Sequence, residues 1–291
     1  MEHVIELKNV SKSFKNFNIT DLSLQVKTGY VTGFIGANGA GKSTIIKMVL
    51  NLLQPDAGEI QIFGMNFTEN EKTIKERIGF VFNDSALYAE LNLHDMKKLI
   101  APSYKNWDDV LFQRYCDKFE LPLKQVIKSF SDGMKMKASL AFALAHHADL
   151  LIMDEPTSNL DPVFRREFIG ILREVMLDEN KSIVLSTHIL SDLSSLADYI
   201  TFIQKGQIIF SKSLPEIEEE YAIVRGGVEL LDRDTEQYFL SINREDRRFE
   251  ALTNDFKKVE TLFGSDVIVE KASLEEIMYY SRGGKADASV N

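Results

Sequence analysis

The stretch Gly36-Ala37-Asn38-Gly39-Ala40-Gly41-Lys42-Ser43-Thr44 decides the fold. It fits the phosphate-binding loop pattern G-x-x-x-x-G-K-[ST], and its surroundings suit that reading. The apolar run Val31-Thr32-Gly33-Phe34-Ile35 before it reads as a buried strand. After it, Ile45, Ile46, Met48, Val49, Leu50 and Leu53 recur at roughly helical spacing, with Pro55 and Gly58 just beyond. The loop therefore joins a strand to a helix. Glycines let successive N–H groups turn inward around a phosphate, and the helix N-terminus adds partial positive charge. Lys42 can then reach the β- and γ-phosphates, and the Ser43 hydroxyl can ligate Mg²⁺.

Outward from this loop the chain alternates. Upstream, Val4-Ile5-Glu6-Leu7 and Leu22-Ser23-Leu24-Gln25-Val26 read as strands. Downstream, Glu59 to Phe63 and Ile78 to Phe82 are strand-like. Residues 85–128 read as mostly helical, with Pro102 and Pro122 as breaks, and residues 134–147 carry a strong helix pattern. Then come a strand (Leu150 to Met153), a helix (Pro162 to Leu177), a strand (Ser182 to Ser186), a helix (Leu190 to Ala197) and two strands, Tyr199 to Gln204 and Gln207 to Phe210. The alternation predicts an α/β fold with a largely parallel sheet, interrupted by a helical insert. The phosphate loop occurs once, which predicts one nucleotide module per chain.

Gly226-Gly227 marks the expected boundary between a domain over residues 1–225, with a helical subdomain at 85–133, and a small α+β appendage over 226–282. In the appendage Val228 to Leu231, Tyr238 to Ile242 and Asp266 to Glu270 read as strands. Asn254 to Phe263 and Leu274 to Tyr280 read as helices. Arg244-Glu245-Asp246-Arg247-Arg248 reads as a solvated turn, and residues 283–291 as a disordered tail.

Composition narrows the class. A chain of 291 residues, 44% hydrophobic, can bury a real core. A net charge of −10 argues against coating nucleic acid. Cys116 is the single cysteine, cannot form an internal disulfide and suits a reducing compartment; its expected role is to fill core space. The N-terminus Met1-Glu2-His3-Val4 does not read as a signal peptide. The longest uncharged apolar stretch, around Ser139 to Ala148, falls well short of the ~18–20 residues that span a bilayer. Work at a membrane would need a partner.

Three further residues carry chemistry. The apolar strand Leu150-Leu151-Ile152-Met153 ends in Asp154-Glu155. An Asp delivered by a strand beside a phosphate loop suits a Mg²⁺ contact, and Glu155 can polarise the water that attacks the γ-phosphate. His188 follows the strand Ile183 to Thr187 and can hydrogen-bond the γ-phosphate from the same sheet edge. His146 and His147 lack such context and read as structural.

Together these motifs resemble the ATPase subunit of an ATP-binding-cassette (ABC) transporter over about residues 3 to 225. Gly36 to Thr44 matches the Walker A motif, and Leu150 to Glu155 matches Walker B with Glu155 at the catalytic-base position. Ser158-Asn159-Leu160-Asp161 matches the D-loop, and His188 the switch histidine. Phe130-Ser131-Asp132-Gly133-Met134 sits where the Leu-Ser-Gly-Gly-Gln signature belongs, and Phe14 where an aromatic stacks on adenine. The resemblance implies a P-loop NTPase core with an antiparallel β subdomain, binding ATP and Mg²⁺. It implies a dimer, homo- or heteromeric, in which Ser131 and the Gly133 N–H meet the γ-phosphate held by the other subunit. It implies a separate membrane-spanning subunit docked near the 82–100 segment, placing the chain peripherally on the cytoplasmic face of the membrane.

Two positions depart from the family pattern. Asn83-Asp84 stands where Gln is usual; Asn83 keeps an amide oxygen for Mg²⁺ or water, and Asp84 can substitute as a ligand. Asp132 replaces the first signature glycine. Either its carboxylate points away at the first turn of a helix capped by Ser131, or it weakens the site by repelling a γ-phosphate. Local words such as Tyr104-Lys105-Asn106-Trp107-Asp108 and Phe119-Glu120-Leu121-Pro122 are similar to Gram-positive exporters, some of which export antimicrobial or amphipathic peptides such as phenol-soluble modulins. The competing readings are a soluble ABC-type ATPase and a weakly hydrolysing nucleotide sensor.

Overall fold

A computed structural model describes residues 2–82, 87–158 and 160–282. Asn83, Asp84, Asn159 and the expected tail at 283–291 lie outside those residues. The chain divides into two compact units, residues 1–211 and 212–291.

The first unit carries β1 (His3–Ser13), β2 (Asn18–Lys27), β3 (Val31–Ile35), α1 (Lys42–Val49), β4 (Ala57–Ile62), β5 (Met65–Asn66), α2 (Phe67–Glu76) and β6 (Ile78–Phe82). A helical stretch follows with α3 (Leu93–Ile100), α4 (Asp109–Lys118) and α5 (Asp132–Leu144). The unit then runs through β7 (Leu150–Asp154), α6 (Pro162–Val175), β8 (Ser182–Ser186), α7 (Leu190–Leu196), β9 (Tyr199–Gln204) and β10 (Gln207–Ser213), whose last residues cross into the second unit.

Two sheets result. The antiparallel one has strand order β2-β1-β4-β5, and the other β10-β9-β3-β8-β7-β6. In the second sheet β3 pairs parallel with β8 and β9, and β7 with β8 and β6. Every residue of β3, β7 and β8 is buried, the condition of central strands covered on both faces. One apolar cluster contains residues of both sheets together with Ile45, Ile46, Met48 and Val49 of α1. Burying that helix at ~25 cal/mol per Å² of apolar area fixes the loop that precedes it.

The helix α2 was not expected within 58–82. Its sequence Phe-Thr-Glu-Asn-Glu-Lys-Thr-Ile-Lys-Glu buries Ile74 alone, so it shows almost no apolar periodicity.

The second unit contains α8 (Leu214–Glu220), β11 (Ala222–Gly227), α9 (Arg233–Glu236), β12 (Ser241–Glu245), β13 (Arg248–Thr253), α10 (Phe256–Phe263), β14 (Ile268–Lys271) and α11 (Leu274–Arg282). Its antiparallel sheet has the order β12-β13-β11-β14, with Val259 and Phe263 of α10 packed on Val224, Phe249 and Ala251. The boundary expected at 225/226 thus falls inside β11, a central strand of the second unit. Gly226-Gly227 ends that strand and does not link two domains. Val228–Leu230 is a 3-10 turn where a strand was expected, and β13 was missed. Arg244 to Arg248 does span a hairpin turn, with Asp246 in the left-handed region.

Candidate functional site

The loop after β3 reverses direction through Gly36 (φ 152°), Gly39 (φ 80°) and Gly41 (φ 113°). At Gly36 a Cβ would stand 2.2 Å from the Ile203 carbonyl oxygen, so any side chain is excluded by β9 itself. Gly41 caps α1 without a side chain, leaving the first turn of the helix open toward the loop. The loop encloses a cleft of about 490 Å³ lined by Phe17, residues 37–44 and Glu155.

Lys42 is 6% exposed. Its ammonium donates to the carbonyl oxygens of Gly36 (2.9 Å) and Ala37 (3.3 Å) and lies 3.8 Å from Glu155 Oε1. Glu155 follows the last residue of β7 in a left-handed conformation (φ 53°). Its N–H donates to the Ser186 carbonyl of β8 (2.9 Å), which turns the side chain to the loop. Glu155 Oε2 accepts from the His188 backbone N–H at 3.2 Å and from His188 Nδ1 at 2.6 Å. A carboxylate only accepts, so Nδ1 carries a proton and Nε2 faces outward from the pair. Asp154 is buried and accepts a short hydrogen bond from the Ser186 hydroxyl. Parallel pairing places β7 and β8 in register at Asp154 and Ser186, so all these groups reach one sheet edge.

Of the residues expected to bind nucleotide, the structure places Asn38, Gly39, Ala40, Gly41, Lys42, Ser43 and Thr44 around the cleft, with Glu155, the expected base, beside them and Gly36 joined to Lys42 through its carbonyl. Phe14 is 43% exposed and does not line the cleft; Phe17, 6.2 Å from it ring to ring, does. Phe17 precedes a strand in a segment without periodicity, so only its packing beside Gly41 reveals it. Asp161 caps α6, accepting from Val163 N and Phe164 N at 3.0 and 2.9 Å. Those N–H groups, Phe164 foremost, hold its carboxyl below the usual range. Ser131 caps α5, accepting from Met134 N at 3.2 Å, and neither Ser131 nor Gly133 lines this chain's own cleft. Asp132 points to solvent and pairs with Lys135 at 3.1 Å, the outward of its two expected orientations. Cys116 is buried, and burial pushes its thiol up to about 12, as suits a core residue. His147 pairs with Asp108 at 3.2 Å.

The ABC transporter family profile matches residues 19–158. The bacitracin transport ATP-binding protein BcrA of Bacillus licheniformis is 36% identical over 214 residues, covering 72% of this chain and 69% of that one. The chain belongs to the ABC transporter family. Among solved structures, an ATP-binding subunit of an ABC transporter superposes with a TM-score of 0.68 at 29% identity over 74% of this chain and 92% of that one. The cassette MJ0796, solved as a dimer in a post-hydrolysis state bound to ADP and Pi, superposes at 0.65 and 23% identity, a likeness of fold, over 72% of this chain and 98% of that one. The protein is therefore the ATP-binding, ATP-hydrolysing motor subunit of an ABC transporter. Among its described residues no helix is long and apolar enough to cross a membrane.

Proposed function

We propose that this ABC ATPase drives export through a membrane-spanning subunit on a separate chain, with Mg²⁺·ATP as fuel and amphipathic or antimicrobial peptides as cargo. The observation that carries the motor half of this reading is the Lys42–Glu155–His188 arrangement over the loop. The bacitracin transport relative supports the cargo class. Among the described residues no helix is long and apolar enough to cross a membrane, so in this reading the spanning part falls to a separate subunit, with this chain held peripherally at the cytoplasmic face.

Each residue's work follows from its contacts. An arriving γ-phosphate replaces the Gly36 and Ala37 carbonyls as the partner of Lys42, a stronger charge-assisted contact. Glu155, released from that ammonium, accepts a proton from the attacking water as general base. His188 holds the carboxylate through Nδ1 and presents Nε2 to the γ-phosphate. The residues present fit Mg²⁺. Ser43 and Asp154 offer hard oxygen donors, and Asp154 is a buried carboxylate with no ion-pair partner among the described residues. When bound, the ion would neutralise charge on the phosphates. Asn83, the third expected ligand, lies outside the described residues. A second cassette, identical or not, supplies Ser131 and the Gly133 N–H to complete each site.

The test is capture of the tagged Glu155→Gln chain with ATP in mild detergent, with partners identified by mass spectrometry. A stoichiometric polytopic membrane protein is the expected result. Soluble partners alone would overturn the export reading and leave the ATPase chemistry standing.

A further inference from the structure

The strand β8 is apolar except at its two ends, Ser182 and Ser186. Both residues are fully enclosed, and a buried hydroxyl is costly unless it is bonded. Ser182 is explained by the fold: its hydroxyl accepts from the Gly29 backbone N–H at 3.0 Å and ties the turn before β3 to β8. Ser186, at the other end, meets the acids instead.

Side chains two apart on a strand share a face. Val184 of β8, and Leu150 and Ile152 of β7, belong to the apolar cluster that contains α1. Ser186 and Asp154 are next in the same alternation, so they stand on the α1 face of the sheet, and α1 begins with Lys42 and Ser43. Parallel pairing sets Asp154 opposite Ser186, and the Ser186 hydroxyl donates to Asp154 Oδ1. The same hydroxyl lies 3.3 Å from the Glu155 backbone nitrogen, whose N–H it shares with the Ser186 carbonyl at 2.9 Å. One residue thus holds the carboxylate of Asp154 and the backbone of Glu155, at the point where β7 ends and Glu155 turns left-handed.

The orientation of the Asp154 carboxylate depends on this hydroxyl. Among the described residues Ser186 is the one side chain bonded to that carboxylate, and no ammonium or guanidinium pairs with it. An ionised carboxylate accepts on both oxygens. With Oδ1 bonded to a central strand, the carboxylate is kept from turning, and Oδ2 is left for a hard cation. A carboxylate that ligates a metal is commonly oriented by a hydrogen bond from behind, and Ser186 is such a donor. Filling space needs no hydroxyl here, since an apolar residue would finish β8 without a donor to satisfy.

We propose, resting on the reading of Asp154 as a cation ligand, that Ser186 is a positioning residue whose hydroxyl fixes the Asp154 carboxylate so that its other oxygen meets the divalent cation of the nucleotide complex. Ser186 touches neither nucleotide nor the attacking water; its effect passes through Asp154. Without the hydroxyl the carboxylate turns freely and the cation is held less well, while the phosphate contacts of the loop and Lys42 persist.

The test separates cation from nucleotide. Mn²⁺, which takes the same oxygen donors as Mg²⁺, is titrated into the full chain with the non-hydrolysable analogue AMP-PNP, and free Mn²⁺ is read by electron paramagnetic resonance. In Ser186→Ala the affinity of the complex for Mn²⁺ is expected to fall by roughly 10- to 100-fold, the usual cost of losing a group that orients a ligand. AMP-PNP affinity in EDTA is expected to be unchanged. Unaltered Mn²⁺ affinity would overturn the proposal. So would an equal loss of metal-free AMP-PNP binding, which would show a general loosening of the sheet edge. Should Ser186→Ala fail to fold, Ser186→Cys decides, because a thiol fills the same place and donates only weakly; full Mn²⁺ affinity there would overturn the proposal. Asp154→Asn is the reference. Weakened Mn²⁺ binding in Asp154→Asn with normal binding in Ser186→Ala would overturn the positioning role alone, and normal binding in both would overturn the reading of Asp154 as a ligand with it.

Discussion

His188 Nδ1 lies 2.6 Å from Glu155 Oε2, while the other oxygen of that carboxylate lies 3.8 Å from Lys42 Nζ. One carboxylate therefore couples the loop that grips phosphate to the histidine at the end of β8. Its position depends on a left-handed backbone at Glu155, secured by the Ser186 carbonyl. Replacing Glu155 by Gln keeps the shape and removes the base. Turnover is expected to fall by roughly 10²–10⁴-fold with ATP binding retained. Near-normal turnover in a phosphate-release assay would remove Glu155 from the chemistry.

Lys42 should behave differently. Lys42→Ala removes a charge-assisted contact worth roughly 1.5–3 kcal/mol, and ATP affinity should drop by about 10- to 100-fold, as read by titration calorimetry. An unchanged Kd would mean that the ammonium stays on the Gly36 and Ala37 carbonyls when nucleotide binds.

Gly36→Ala tests the backbone reading. The new methyl would meet Ile203 O at a distance no real contact tolerates, in a region of φ that disfavours L side chains. A loss of roughly 1–3 kcal/mol or more is expected, seen as a Tm lowered by several degrees and weaker ATP binding together. An unshifted Tm would show that β9 yields freely.

Asp132, the first residue of α5, is exposed and pairs with Lys135 one turn along. Asp132→Gly should therefore leave turnover within about threefold, the effect of one screened surface charge. A large rise would show that the carboxylate swings toward phosphate when two cassettes meet, and that the site is tuned by repulsion.

The Asp161 cap predicts a pH dependence. The N–H groups of Phe164 and Val163 hold its folded carboxyl below the ordinary value. Such a group contributes stability above its unfolded value, and that contribution is lost as pH falls through the folded one. Asp161→Asn keeps a cap oxygen without the charge, so the acid side of its Tm–pH profile should be flatter. Coincident profiles below about pH 4, where free Asp titrates, would assign the cap to hydrogen bonding alone.

By itself the sequence determined the phosphate loop, the strand that delivers Asp154 and Glu155, and the histidine after β8. Each is a local pattern whose backbone demands are written in consecutive residues. It also revealed the α/β alternation, because central parallel strands are continuous apolar runs. Tertiary structure alone decided that Phe17 and not Phe14 lines the cleft, since both aromatics flank the same turn and only packing on Gly41 separates them. It decided that Asp161 serves as a helix cap within this chain, and it selected, of the two orientations open to Asp132, the outward one beside the Ser131 cap. It moved the division of the chain to residue 211, because the glycines at 226 and 227 end a strand whose apolar residues, Ala222, Ile223 and Val224, are buried between two neighbours. And it alone joined His146 to Ile78, a contact across 68 residues that no periodicity can announce: a hydrogen bond is fixed by where atoms meet in space, and the sequence records only which atoms are available.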